Sequence, residues 1–204
     1  IEESLHIFDL YVNLQQFSNI NTLSQVFMKS MIVDSVMIKE YRDDLKFPNR
    51  IVKKKQSYAG AIVLDPTKPG LTEDVSILDY TSLYPTTIMA YNLSPETFIC
   101  SEQDLDGTEY TVDDICEQLK AKGVKYIDTG YDDKLLEGRY LFYAQTEKVG
   151  LVPKMIRKLF NKRKAIQARM ATEDLSSEEY TSLFHHQKVV KLIMNSVYGA
   201  FGFN

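Results

Sequence analysis

Asp79 stands at the end of the apolar run Val75-Ser76-Ile77-Leu78 and is followed by Tyr80-Thr81-Ser82-Leu83-Tyr84-Pro85. A carboxylate at a strand end is fixed rigidly enough to hold a divalent metal against phosphates, and a turn after it exposes backbone N–H groups to phosphate oxygens. That is the equipment of phosphoryl transfer. The same residues also read as a strand running into a Pro turn with a buried tyrosine. Farther on, Lys191 and Asn195 lie four residues apart in Lys191-Leu192-Ile193-Met194-Asn195-Ser196-Val197-Tyr198-Gly199 and would share one helix face. There a cationic donor and an amide can address one ligand. The plainer reading is a helix with a solvated Lys, an Asn near its end and a Gly after it.

Sign of charge is segregated along the chain. The stretch 148–171 holds eight basic residues (Lys148, Lys154, Arg157, Lys158, Lys162, Arg163, Lys164, Arg169) and no acidic one, whereas 102–117 holds seven acidic residues and no basic one. The formal net charge of -4 therefore conceals a surface suited to anions. Within the basic stretch, Lys158 and Lys162 read as a solvated face.

The elements that must position these residues follow from periodicity. Spaced apolar residues over 1–47 (Phe8, Leu10, Val12, Leu14, Leu23, Val26, Phe27, Met31, Val36, Ile38) predict one or two helices before the break at Phe47-Pro48-Asn49. Ala61-Ile62-Val63-Leu64 and Val75-Ser76-Ile77-Leu78, flanked by Pro66, Pro69 and Gly70, predict buried strands. The polar stretch 101–147, broken by Gly107, Gly123, Gly130 and Gly138, reads as an irregular insertion with a short helix near 113–122 opened by Thr111 or Asp113. From Pro153 to Met170 the apolar spacing is helical, with Pro153 in the first turn. Ser176 and Glu179 form a capping-box signature for a second helix running toward Asn195, so the pair predicts an antiparallel hairpin.

With 204 residues, 44% of them hydrophobic, the chain can bury one ordinary core or pieces of two. Its apolar runs are too short to span a bilayer, and no membrane partner is expected. Ile1-Glu2-Glu3-Ser4 has neither an initiator Met nor the regions of a signal peptide, which suggests an excised piece. Cys100 and Cys116 form no metal-spaced cluster and fit a reducing cytoplasm, the host's if the source is viral.

The sequence Asp79-Tyr80-Thr81-Ser82-Leu83-Tyr84-Pro85 resembles the D-x-x-S-L-Y-P motif of family B DNA polymerases, and 191–199 resembles that family's K-x-x-x-N-S-x-Y-G motif. The two occur in the family's order, 112 residues apart, with the basic helix between them. That helix, from Gly150-Leu151-Val152-Pro153 to Phe160-Asn161-Lys162-Arg163-Lys164, resembles the G-x-x-P…R-K stretch at the base of the fingers, although Gln167 stands where phage relatives often carry another Lys. Tyr58-Ala59-Gly60-Ala61 resembles the family's template-touching loop. Asn92-Leu93-Ser94-Pro95-Glu96-Thr97 is similar to tailed-phage replicative members.

The resemblance, covering about 50–204, implies an α+β fold: a partial palm, in which an antiparallel sheet is packed with helices, plus an antiparallel two-helix fingers hairpin. It implies a connector at 1–56, palm at 57–147 containing the insertion at about 101–147, fingers at 148–196 and a return into the palm at 197–204. Asp79 and the carbonyl of Tyr80 would bind Mg2+. Ser82, Leu83, Arg163, Lys191 and Asn195 would hold the incoming deoxynucleoside triphosphate, and Tyr84 would exclude a 2′-hydroxyl. Tyr58, Gly60, Tyr198 and Gly199 would meet primer-template DNA. A two-metal site needs a second carboxylate from a third palm motif, so only half of it is expected here. The implied partners are that motif, a thumb and an exonuclease domain, with a sliding clamp as a further candidate.

Other features invite less. Tyr126-Ile127-Asp128-Thr129-Gly130 is similar to the third motif but lies between the first two, and Gly130 stands where a second Asp is required; an Asp-Thr-Gly run is also an ordinary turn. Adjacent His185 and His186 point to different helix faces and form no metal pair. Asp113-Asp114 and Asp132-Asp133 read as caps or solvated charges, and Asp9 as part of the connector. The alternatives to a polymerase segment are a non-catalytic nucleotide- or DNA-binding module and an unrelated α/β scaffold.

Overall fold

A computed structural model describes residues 2–47, 63–67, 69–130 and 138–201. Two helices open the chain, α1 (Glu2–Ser18) and α2 (Lys29–Tyr41), joined through a 3-10 turn at Leu23–Phe27. A short helix, α3 (Leu83–Ala90), is followed by strand β1 (Phe98–Ser101), helices α4 (Glu102–Leu105) and α5 (Val112–Ala121), and strands β2 (Tyr126–Asp128) and β3 (Tyr140–Tyr143). Two long helices, α6 (Leu151–Met170) and α7 (Glu178–Phe201), complete the order. The class is α+β, with an antiparallel sheet, as expected.

α7 is the hub of the helical layer. Its buried face, Val189, Val190, Ile193, Met194 and Val197, meets Met155, Ile156 and Leu159 of α6, Ile32 and Val36 of α2, Leu14 of α1 and Ile88 and Met89 of α3 in one apolar cluster. Burying side chains of this size contributes about 1.5–3 kcal/mol each relative to exposure. α6 and α7 run antiparallel, because Arg169 pairs with Glu179 (2.6 Å) and Arg163 with Gln187 (3.2 Å). The α7 cap is Ser177, whose Oγ accepts from the N–H of Tyr180 at 3.0 Å. Ser176, the residue suggested by the signature, instead donates to Asp174 in the connecting turn.

The sheet lies where an irregular insertion was expected. Its order is β1-β3-β2, with Cys100 opposite Leu141 and Ile127 opposite Phe142. Cys100, Val112, Cys116, Leu119 and Leu141 form a second small core under α5. The glycines that suggested irregularity sit between elements that are strongly capped. Ser101 with Asp104 and Thr111 with Asp114 both form complete capping boxes. Conversely, 75–78 is not a strand: Val75, Ile77 and Leu78 are 64%, 87% and 96% exposed. Val63 and Leu64 are likewise exposed, and Ala61 and Ile62 lie outside the described residues. A strand exists only as part of a pair, and apolar composition does not supply the partner.

The two cores are joined by buried polar contacts. Asn92, fully buried at φ 55°, donates from Nδ2 to the carbonyls of Tyr143 and Lys148, both at 2.7 Å, and accepts from the N–H of Gly150 at 2.9 Å. Gly150 itself supplies no cap to α6. Instead the Glu96 carboxylate accepts from the Leu151 N–H, and Ser94 Oγ accepts from the Val152 N–H at 3.3 Å, so the α6 N-terminus is capped from a distant loop. A Cβ at Gly150 would stand 2.7 Å from Ser94 Cβ, which reserves the position for glycine. Tyr41 Oη donates to the Leu151 carbonyl at 3.0 Å, and its burial, with Glu40 and Glu96 nearby, pushes the phenol up to about 12.

Two consequences can be measured. Asn92→Ala leaves two carbonyls and a buried N–H without this partner, and should cost about 2–4 kcal/mol in urea unfolding; a loss under about 1 kcal/mol would show that water replaces the amide. In the smaller unit, hydrogen bonds from Arg139 hold Asp128 below the usual carboxylate range, and those from Ser101 and Thr111 do the same for Asp104 and Asp114. A lowered folded value gives stability above the ordinary pKa of about 4 that is lost as pH falls through the folded value. Near-ultraviolet circular dichroism of this tyrosine-bearing unit should stay flat from neutrality to about pH 4 and decline below it.

Candidate functional site

Asp79 and Tyr80 lie in an irregular, exposed segment immediately before α3, and Tyr80 is 78% exposed. Ser82 is the N-cap of α3 in the left-handed region (φ 55°, ψ 50°), where a non-glycine residue is strained. Its side chain does not cap the helix. The first-turn N–H groups of α3, from Leu83 and Tyr84, therefore keep their donors outward, while Thr86 and Thr87 hydroxyls return to carbonyls of the same turn. Such a helix start attracts anions.

α3 brings the first motif against the second. The Tyr84 ring stacks on the Tyr198 ring with centroids 4.0 Å apart and planes inclined by 18°. Burial of Ile88 and Met89 in the main core fixes α3 against α6 and α7, and the stack follows from that seating. Tyr198 closes a line along the exposed side of α7: Gln187, Lys191, Asn195 and Tyr198 fall within roughly 80° of arc over about 16 Å at 1.5 Å per residue. Lys191 and Asn195 are exposed.

Arg163 joins the head of this line. It is half-buried on the side of α6 that faces α7, and its Nε donates to Gln187 Oε1 at 3.2 Å. The remaining guanidinium N–H groups can meet a planar anion. Gln187 was not among the sequence candidates; its position one turn before Lys191 was the available signal. Gly199 sits on another side of α7, where a Cβ would approach Lys29 Cδ to 3.4 Å. Tyr58 and Gly60 lie outside the described residues.

Lys158 and Lys162 are exposed, as expected of a solvated face, and each also has a partner. Lys158 pairs with Glu40 of α2, and the Lys162 ammonium lies 4.3 Å from the Phe17 ring centroid, because that flank of α6 faces α1 and α2. Asp113 is a solvated charge, 78% exposed, that also accepts from Arg139 at 2.7 Å. Asp128, in the motif-like Tyr126-Ile127-Asp128 strand, takes a bidentate contact from the same guanidinium and accepts from the Gly130 N–H at 3.0 Å. It is an ion-pair and turn residue of the small unit. His185 is half-buried beside Phe184 and His186 exposed. Among the described residues no group of three or more His, Cys, Asp and Glu could hold a metal, and no helix is long and apolar enough to cross a membrane. Asp132 and Asp133 lie outside the described residues.

The stack of Tyr84 on Tyr198 thus sets the α3 start beside α7, whose exposed Lys191 and Asn195 share one face. Comparison with known proteins gives the family. The model for DNA polymerase family B matches residues 12–204. A DNA polymerase beta of African swine fever virus (isolate Warthog/Namibia/Wart80/1980) is 32% identical over 164 residues, covering 72% of this chain and 13% of the relative. DNA polymerase 2 of Aeropyrum pernix is 31% identical over 156 residues, covering 76% of this chain and 16% of the relative. The solved structure of the family B DNA polymerase from Pyrobaculum calidifontis superimposes with a TM-score of 0.64 at 27% identity, over 98% of this chain and 23% of that one. The chain belongs to DNA polymerase family B, and it spans a small part of the length of these relatives. None of these is a tailed phage, and that part of the expectation stays unsupported.

The ring stack is open to a double-mutant cycle on stability. Tyr84→Ala and Tyr198→Ala should show a coupling of about 0.5–1.5 kcal/mol; additivity would mean that the rings do not interact in solution.

Proposed function

We propose that this chain supplies the nucleotide-binding part of a DNA-directed DNA polymerase, and that Asp79, Ser82, Leu83, Tyr84, Arg163, Lys191 and Asn195 form that site. The observation that carries the reading is the Tyr84–Tyr198 stack, which brings the first and second motifs into contact although 112 residues separate Asp79 from Lys191. The outward N–H groups at the α3 start suit triphosphate oxygens, and Arg163 and Lys191 suit the outer phosphates. Asn195, between Lys191 and Tyr198 on the same face, suits the nascent base pair, and we assign the Tyr84 ring to obstructing a 2′-hydroxyl.

The oxygen donors offered by Asp79 and the Tyr80 carbonyl fit Mg2+, which is commonly held by one or two carboxylates together with substrate phosphates. When bound, the ion would neutralise charge developing on the transferred phosphoryl group. One carboxylate amounts to half of a two-metal site, so the remaining polymerase segments, including a third palm motif, a thumb and an exonuclease domain, are proposed partners, as are primer-template DNA and a sliding clamp. We assign 1–56 to a connector, 57–147 to the palm, 148–196 to the fingers and 197–204 to the return into the palm. Tyr58, Gly60, Tyr198 and Gly199 are assigned to the template and primer.

Calorimetric binding of deoxynucleoside triphosphate with Mg2+ tests this directly. Arg163→Ala and Lys191→Ala should each weaken binding about ten- to a hundredfold, the worth of one charge-assisted contact. Asp79→Asn should remove the part of the affinity that depends on Mg2+. Absence of triphosphate binding by the unsubstituted chain would overturn the site. A non-catalytic binding module, the second reading, predicts the same binding but no effect of Asp79→Asn on primer extension by a polymerase carrying this segment. The catalytic reading predicts a steep fall in kcat there. In the same assay Tyr84→Ala should admit ribonucleotides and Tyr84→Phe should not, since the ring does the excluding.

A further inference from the structure

The flank of α6 turned away from Arg163 carries Lys154, Lys158 and Lys162 at intervals of four residues. At 100° per residue they lie about 100–180° around the helix from Arg163, and each is about 6 Å farther along the axis than the last. Each is docked. The Lys154 ammonium lies 5.9 Å from the Tyr41 ring centroid, Lys158 pairs with Glu40, and Lys162 stands 4.3 Å from the centroid of Phe17. Lys39 of α2 joins them: its ammonium donates to the Phe17 carbonyl at 2.9 Å and lies 5.7 Å from the same ring. All four lysines are exposed.

We propose that Lys39, Lys154, Lys158 and Lys162 form a track for the phosphodiester backbone of a single nucleic-acid strand, separate from the line of Arg163 and Lys191. The proposal stands on the placement of these lysines and does not need the nucleotide-binding reading. Glu40 is the carboxylate paired within the stripe, so positive charge is in clear excess. Burial against Phe17, together with the neighbouring charges of Lys39 and Lys158, holds the Lys162 amine below its ordinary value. The smaller part of this lowering, the repulsion from Lys39 and Lys158, is what a bound polyanion relieves. The rings and Glu40 hold the ammonium groups in place before a ligand arrives, which lowers the ordering cost of binding. The stripe is one-dimensional and roughly 12 Å long, from 154 to 162 at 1.5 Å per residue. It can follow successive phosphates of one extended strand but offers no second row for the other strand of a duplex.

The test uses the unaltered chain and a single-stranded oligodeoxynucleotide as probe. Amine acetylation read by mass spectrometry should slow at Lys39, Lys154, Lys158 and Lys162 when the oligonucleotide is bound, while Lys120 and Lys122 at the C-terminal end of α5 stay reactive. A deoxynucleoside triphosphate alone should leave all four reactive. Protection by the triphosphate would merge this track with the nucleotide site and overturn it. So would protection confined to Lys164 and Lys191, or displacement of the strand by a duplex or an acidic polypeptide at equal charge. As a second measurement, the triple variant Lys154→Gln, Lys158→Gln, Lys162→Gln keeps most of each side-chain stem. It should bind the strand more weakly at low salt and lower the slope of log affinity against log salt by about 2, near 0.7 per phosphate contact. An unchanged slope in the folded variant would also overturn the proposal.

Discussion

The buried carboxamide of Asn92 is the contact on which the rest of the arrangement depends. It ties the loop after α3 to the end of β3 and to the entry of α6 through three hydrogen bonds from one fully buried side chain. Such a group is stable only when every polar atom is satisfied, so the geometry has little tolerance. Ser94 and Glu96 extend the same loop onto the α6 N-terminus, and Gly150 leaves room for them. α6 is thereby aimed by residues that follow the first motif directly. The distance between Asp79 and Arg163 along the chain matters less than this clasp, because it sets where the long helices leave the body.

Much of the site was legible because its residues obey helical arithmetic. Lys191, Asn195 and Tyr198 had to share a face of any helix that contained them, and the α6 and α7 patterns predicted the hairpin that carries Arg163 to Gln187. The sheet was misplaced for a physical reason. Strand propensity marks apolar alternation, and 75–78 has it without a partner among the described residues, whereas β2 and β3 are short, flanked by glycines and recognisable only once paired. The clasp is not legible in the sequence: nothing in Asn92-Leu93-Ser94-Pro95-Glu96-Thr97 announces which distant N–H groups it satisfies. The exposure of the α6 lysines was legible from the period, but their partners on α1 and α2 were not, because helical spacing does not say which neighbour borders a face.

α6 therefore separates two kinds of positive charge. Arg163 lies in line with the buried residues Val152, Ile156 and Leu159, reaches α7, and is oriented by one neutral acceptor that leaves its charge uncompensated. Lys154, Lys158 and Lys162 lie on the opposite flank against rings and a carboxylate. A guanidinium suits the first place because its fork can spend one N–H on Gln187 and keep the others. Flexible ammonium stems suit the second, where the apolar part of each side chain covers Tyr41 and Phe17.

The distribution of burial along the hairpin also decides where it can bend. On α6 the buried positions end at Leu159, and on α7 only Leu183 is buried before Val189. Between those points and the connecting turn, the hairpin relies on half-buried Phe160, Ile166 and Met170 and on the exposed Arg169–Glu179 pair. An exposed pair contributes at most about 1 kcal/mol, less than one buried aliphatic side chain. Local stability therefore falls from the hub toward the tip. Arg163 lies one turn beyond Leu159, the last buried position of α6, while Lys191 and Asn195 are backed by Val190, Ile193 and Met194 of the main core.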